Sequence, residues 1–129
     1  LLGVYYSPKW LEASGRFPRF VPAIMNQAEK MSIKPIFGMK NGKLSIAGIK
    51  RNINDLSSAL FEEFEKATKK ARENGNKIIV GITHADDNHQ AEKLKELILS
   101  LKNTEVAFIN LTCFPIGGHI GPNSLVLAW

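Results

Sequence analysis

The dipeptide Asn41-Gly42 sits between two apolar-rich runs, Ile33–Lys40 and Lys43–Lys50. A two-residue type I′ turn requires positive φ at both central positions, and Asn-Gly meets that requirement at least cost. The pair therefore predicts a tight antiparallel hairpin, and a hairpin needs a larger sheet to be stable. Four more runs qualify as strands: Leu1–Tyr6, Lys77–His84, Glu105–Leu111 and Ser124–Trp129. The run KIIVGITH is continuously apolar on a β-branched background, as expected of a central strand.

Helical signals alternate with these strands. Over Asp55–Asn74, the residues Leu56, Leu60, Phe64, Ala67 and Ala71 form one apolar stripe. Asn54 or Asp55 can cap its start, and Gly75 can take the left-handed position past its end. Asp87-Asn88-His89-Gln90 has a capping-box pattern and precedes Leu94, Leu97, Ile98 and Leu101. A short helix is expected from Ser7-Pro8 to about Gly15, carrying Trp10 and Leu11, and another from about Val21 to Lys30. Gly117 to Asn123 reads as a glycine-rich turn. Strands alternating with helices, plus one hairpin, give an α/β (α+β) fold. The expected architecture is a two-layer sandwich, a mixed six-stranded sheet with helices packed mainly on one face. Residues 1–129 form a single domain on this reading.

Charge narrows the partners only slightly. Lys plus Arg number 17 and Asp plus Glu 12, a net +5 that favours anionic partners of any kind. The basic residues are scattered and lack an aromatic stacking patch, which argues against nucleic acid. No run approaches the ~20 apolar residues of a membrane helix. The single cysteine, Cys113, excludes a disulfide framework and fits a reducing, cytoplasmic compartment. Its apolar neighbours predict a buried thiol. The chain opens directly into strand-like residues without Met, so the expectation is that it was processed or is a piece of something longer.

The densest chemical signal is Gly117-Gly118-His119-Ile120-Gly121-Pro122-Asn123. Such a loop exposes backbone N–H groups, and a histidine within it can donate to an anion or shuttle a proton. A plain turn holding a structural histidine is the competing explanation. Ser14-Gly15-Arg16-Phe17 presents an arginine on a glycine turn, or is simply a helix end with a solvated side chain. Lys50-Arg51 closes the hairpin as a docking patch or as two solvated charges. His84-Ala85-Asp86-Asp87-Asn88-His89 holds two imidazoles and two carboxylates, but a cap role for Asp87 and divergent histidines argue against a metal shell.

These motifs, in order, resemble the second domain of DegV-family proteins. The matching stretches are Leu11…Ser14-Gly15-Arg16-Phe17, Ile33-Lys34-Pro35-Ile36-Phe37, Asn41-Gly42-Lys43, Lys50-Arg51 and His119-Ile120-Gly121-Pro122-Asn123-Ser124-Leu125. The resemblance implies that the chain is the C-terminal half of a bacterial two-domain protein. It also implies a long-chain fatty acid bound between the domains as ligand, with no other cofactor, and a carrier role rather than an enzyme. The carrier would present the carboxylate to a fatty acid kinase of dihydroxyacetone-kinase-like type.

By the same resemblance the head group would meet His119, Arg16, Gly118 and Gly121. An apolar ligand needs a dry aliphatic and aromatic wall. Phe17, Phe20, Ile24, Ile36, Phe37, Phe114 and Ile116 could supply it, or these residues are simply core. Arg51 with Lys50 would form the kinase-facing rim. Three positions depart from the family pattern. Ser14 replaces a glycine, Asn123 replaces a glycine, and Ile120 replaces a threonine, which removes a hydroxyl beside the head group. The alternative function is a small-molecule enzyme using His119 with an Arg16 anion clamp.

Overall fold

The structure is a computed structural model that describes residues 2–4, 10, 25–28, 30–40, 43–51 and 55–129. Its strands are β1 (Leu2–Val4), β2 (Ile33–Lys40), β3 (Lys43–Arg51), β4 (Ile78–Ala85), β5 (Thr104–Leu111) and β6 (Ser124–Ala128). Its helices are α1 (Leu56–Glu73), α2 (Asn88–Leu99) and α3 (Phe114–Ile120). Residues 25–28 are also helical. The remaining parts of the two expected N-terminal helices, except helical Trp10 and Lys30, lie outside the described residues.

The six strands form one mixed sheet in the order β3-β2-β1-β6-β4-β5. Among the described residues only β4 and β5 pair in parallel. Lys40 lies opposite Lys43, the register that a two-residue Asn41-Gly42 turn dictates, although those two residues are outside the described set. One face of the sheet packs on α1 and α2. Leu2, Ile36, Val80, Ile82, Leu125 and Leu127 meet Leu56, Leu60 and Phe64 of α1 and Ala91, Leu94 and Ile98 of α2 in a single buried core. This is the two-layer arrangement that the strand and helix patterns imply.

The two long helices are placed by polar contacts at their amino ends. Asp55 caps α1, accepting from the Ser58 N–H at 3.3 Å, and its carboxylate also takes the Lys93 ammonium of α2 at 2.5 Å. Asp87 caps α2 through the Gln90 N–H. The Gln90 side chain does not close a capping box. It accepts instead from the backbone N–H and hydroxyl of Ser57, which is fully buried in the first turn of α1. The Asp87 N–H that the box would satisfy donates to Nδ1 of His84. One stripe position also shifts: Thr68 is buried where Ala67 was expected, and Ala67 is exposed. Thr68 tolerates burial because its hydroxyl donates to the Phe64 carbonyl at 2.8 Å. Gly75 takes φ +83° past the helix end, as expected.

Lys50 points to the helical face, where its ammonium binds Glu62 and Glu63. The Glu63 side chain lies across Gly48, where an added Cβ would come within 2.7 Å of it. Burial pushes the Glu63 carboxyl up, but hydrogen bonds and charge from Lys50 and Lys66 outweigh it and hold it below its ordinary value. At Asp55 burial is likewise outweighed by Lys93 and Ser58. Burial depresses Lys50, yet Glu62 and Glu63 leave it raised.

A depressed carboxylate stabilises the fold above its unfolded value and loses that contribution as pH falls through the folded value. A raised lysine loses its contribution as pH climbs past its folded value. Stability is therefore expected to hold between these limits and to fall below about pH 4–5, the ordinary carboxylate range. Asp55→Asn with Glu63→Gln should flatten the acid limb, measured as urea midpoint against pH.

Candidate functional site

Strand directions gather the functional candidates at one end of the sheet. β1, β3, β4 and β5 run one way and β2 and β6 the other. The carboxyl ends of the first four, the amino ends of α1 and α2, and all of α3 therefore share one end. Arg51, Thr83, His84 and the segment from Leu111 to Ser124 all lie there. Ligands of open sheets that contain parallel strands commonly sit outside these carboxyl ends. The site is spread out: β3 and β6 are three strand spacings apart, about 14 Å.

The expected glycine-rich turn is a helix for most of its length. Gly117, Gly118 and His119 belong to α3, which begins after extended Cys113 and carries Pro115 in its first turn. Proline's fixed φ suits that position, and this outweighs two poor helix formers. The carboxyl end is held by Ser124, whose hydroxyl is shared between the Ile120 and Gly121 carbonyls at 2.7 and 2.6 Å.

Gly121 then turns the chain at φ +78°, ψ 173°, a conformation open essentially to glycine alone. A Cβ there would also run into the Trp10 indole. Gly121 is buried and its N–H donates to the Gly117 carbonyl at 2.8 Å. Its backbone donor is thus engaged at the end of α3. Gly118 is exposed and His119 half-buried on α3.

The second component is the outer sheet face, opposite α1 and α2. In-register pairing places Phe37 and Ile46 there, with Pro35 beside Ile49, Gly3 beside Val126, and Gly81 beside Phe108. Ile46, Ile49, Ile79 and Phe108 are 58%, 65%, 56% and 48% exposed. The Phe108 ring lies over Gly81, where a Cβ would meet it. These exposed residues stand at the two flanks of the face, on β3 and on β4 and β5, with Pro35 and Val126 buried between them. Exposed apolar groups of this kind mark an interaction or ligand face.

At its upper end the face turns polar. Asn110 lies opposite Thr83, and the Thr83 and Thr112 hydroxyls are hydrogen-bonded at 3.0 Å. Arg51, paired with Ile33, is exposed at the end of β3.

Several assignments change against this geometry. Ile36 is not a ligand wall: it points to the helical side and is fully buried in the core. Phe37, the next residue, faces outward. Lys50 is engaged with α1 rather than offered at a rim. Cys113 is exposed, not buried, because the chain has left the sheet by that point. Phe114 and Ile116 project from α3, with Phe114 92% exposed. Arg16, Phe17, Phe20 and Ile24 lie outside the described residues. His84 and His89 diverge, the first buried with Nδ1 accepting from Asp87 and the second exposed on α2.

The outer-face residues Ile46, Ile49, Ile79 and Phe108 were not among the candidates. Two bulges account for Ile49 and Phe108. Ile36 pairs Gly48 while Phe37 pairs Ile46, and Val80 pairs Val106 while Gly81 pairs Phe108. Each leaves one residue unmatched, so strict alternation assigns the wrong face beyond it.

A model of the family described as "uncharacterised protein, DegV family" matches residues 7–129. The chain belongs to the DegV family. No curated relative matches it. Among solved structures it resembles a DegV family protein from Thermus thermophilus whose fatty acid binding was the subject of the work, with 22% identity and TM-score 0.76 over 98% of this chain and 43% of that one. It also resembles a stearic acid-binding protein from Eubacterium ventriosum, with 21% identity and TM-score 0.71 over 98% and 42%. A third is a DegV family protein from Eubacterium eligens loaded with heptadecanoic acid, with 16% identity and TM-score 0.72 over 98% and 43%. At these identities the likeness is one of fold. This DegV chain spans about two fifths of each structure's length. Among the described residues no helix is long and apolar enough to cross a membrane.

The two glycines flanking His119–Ile120 should respond oppositely to alanine. Gly121→Ala, strained and blocked by Trp10, should lose about 1–3 kcal/mol. Gly118→Ala, with nothing within 4 Å of the new Cβ, should gain up to about 1 kcal/mol of helix propensity. Urea unfolding of the two variants side by side measures both.

Proposed function

We propose that this chain is the C-terminal domain of a two-domain, long-chain fatty-acid carrier, and that its outer sheet face is one wall of the acyl site. The observation that carries this reading is the gradient along that face: apolar groups from β2 to β5, ending in polar groups where His119, Arg51 and the Thr83–Thr112 pair lie. An amphiphile needs that pattern, a dry apolar wall with few polar groups at one end. The fatty acids named for structurally similar DegV proteins support it.

His119 and Arg16 serve the carboxylate on this reading. Phe37 contributes to the tail wall, with Phe17, Phe20 and Ile24. The other domain closes the site, and the carrier offers the carboxylate to a fatty acid kinase of dihydroxyacetone-kinase-like type, with Arg51 at the rim. The chain itself supplies binding and orientation, not catalysis.

Native mass spectrometry of the full-length protein should show one fatty acid per chain. After delipidation, affinity should rise about fourfold per added methylene from C12 to C16, the equivalent of ~0.8 kcal/mol each. His119→Ala should weaken binding about tenfold or more if it donates to the carboxylate. A protein that takes up neither palmitate nor oleate would refute the reading.

A further inference from the structure

The two threonines at the upper end of the outer face are unexpected in their setting. Apart from buried His84, the rest of β4 is apolar, with Val80 and Ile82 in the core and Ile79 and Gly81 outward. Valine would fill the Thr83 position with the same shape. Thr83 instead meets Thr112 hydroxyl to hydroxyl at 3.0 Å, half-buried. Thr112 is pinned: its N–H donates to the His84 carbonyl at 2.8 Å, and its side chain lies beneath Gly117 of α3, 4.0 Å from where a Cβ would stand.

A pair of hydroxyls holds two protons and uses one for their mutual bond. The other proton is available to an acceptor approaching the pair from the outer face. The Asn110 amide, opposite Thr83 in the register and exposed, stands beside it. Down the same face from Thr83 come Gly81 under the Phe108 ring and then Ile79, about 13 Å of apolar strand.

We infer that the Thr83–Thr112 pair, with Asn110 beside it, is a carboxylate-binding group at the polar end of the outer face. This assignment rests on the acyl-carrier reading and names residues of this chain that meet the head group. Uncharged donors at the edge of an apolar face recognise a carboxylate as acceptor, and a charge-assisted hydrogen bond is worth more than a neutral one. The pair also supplies hydroxyl groups close to α3.

The test uses full-length, delipidated protein and two probes of equal chain length, palmitate and hexadecanol. In Thr83→Val and Thr112→Val the preference for palmitate over hexadecanol should fall about tenfold or more, because the bond lost is to a charged acceptor. Thr83→Ser should restore it. The ratio separates head-group recognition from structural damage, which would weaken both probes alike. Variants that keep the wild-type ratio overturn this assignment and leave the carrier reading standing. A wild type that binds neither probe overturns both.

Discussion

β6 holds the molecule together. It lies between β1 and β4, and its removal would divide the sheet into a hairpin module, β1 to β3, and a parallel pair, β4 and β5. Ser124 to Val126 and Leu127 are all buried, and Leu125 and Leu127 enter the common core. The Phe64 ring of α1 meets Trp129, just past the strand, edge to face at 5.2 Å. Both of its partners, β1 and β4, are distant from it in sequence, so the fold depends on long-range contacts.

The same strand places the site. Because β6 starts at the end where β4 and β5 finish, the connection between β5 and β6 must lie there, and it contains α3 with His119. Ser124, the first residue of β6, also fastens α3 through the Ile120 and Gly121 carbonyls. Asn123 reaches back to the Ala85 carbonyl. A rigid sheet end with a short helix tied across it is a suitable platform for positioning a few polar groups beside an apolar face. Among the described residues, α1 and α2 pack on one side of the sheet, and Ile46, Ile49, Ile79 and Phe108 are exposed on the other.

Much of this was legible in the sequence. The six strands, the Asn41-Gly42 register, the Asp55 and Asp87 caps and the Gly75 stop all follow from local rules, since each depends on a few neighbouring side chains and the backbone angles they permit. The illegible parts share a physical cause. Ile36 and Phe37 exchange roles because a strand apolar on both phases carries no mark of which face the helices will cover. The bulges opposite Ile36–Phe37 and Val80–Gly81 move Ile49 and Phe108 to faces that alternation does not predict. Gly117-Gly118-His119 reads as a turn because helix propensity is low there, yet Pro115 and a hydroxyl from Ser124 make it helical.

Local chemistry by itself thus determined which segments are strands and helices, where they start and stop, and that a histidine stands among glycines near the end. Tertiary structure alone decided which apolar residues are core and which form the open face. It turned Lys50 and Glu63 into a brace for α1 and made Gly121 the seat of Trp10. It also brought Thr83 and Thr112, separated by 29 residues, within hydrogen-bonding distance. The reason is that secondary structure is set by short-range sterics and capping, whereas a face, a pair or a pocket exists only once strands distant in sequence share a register.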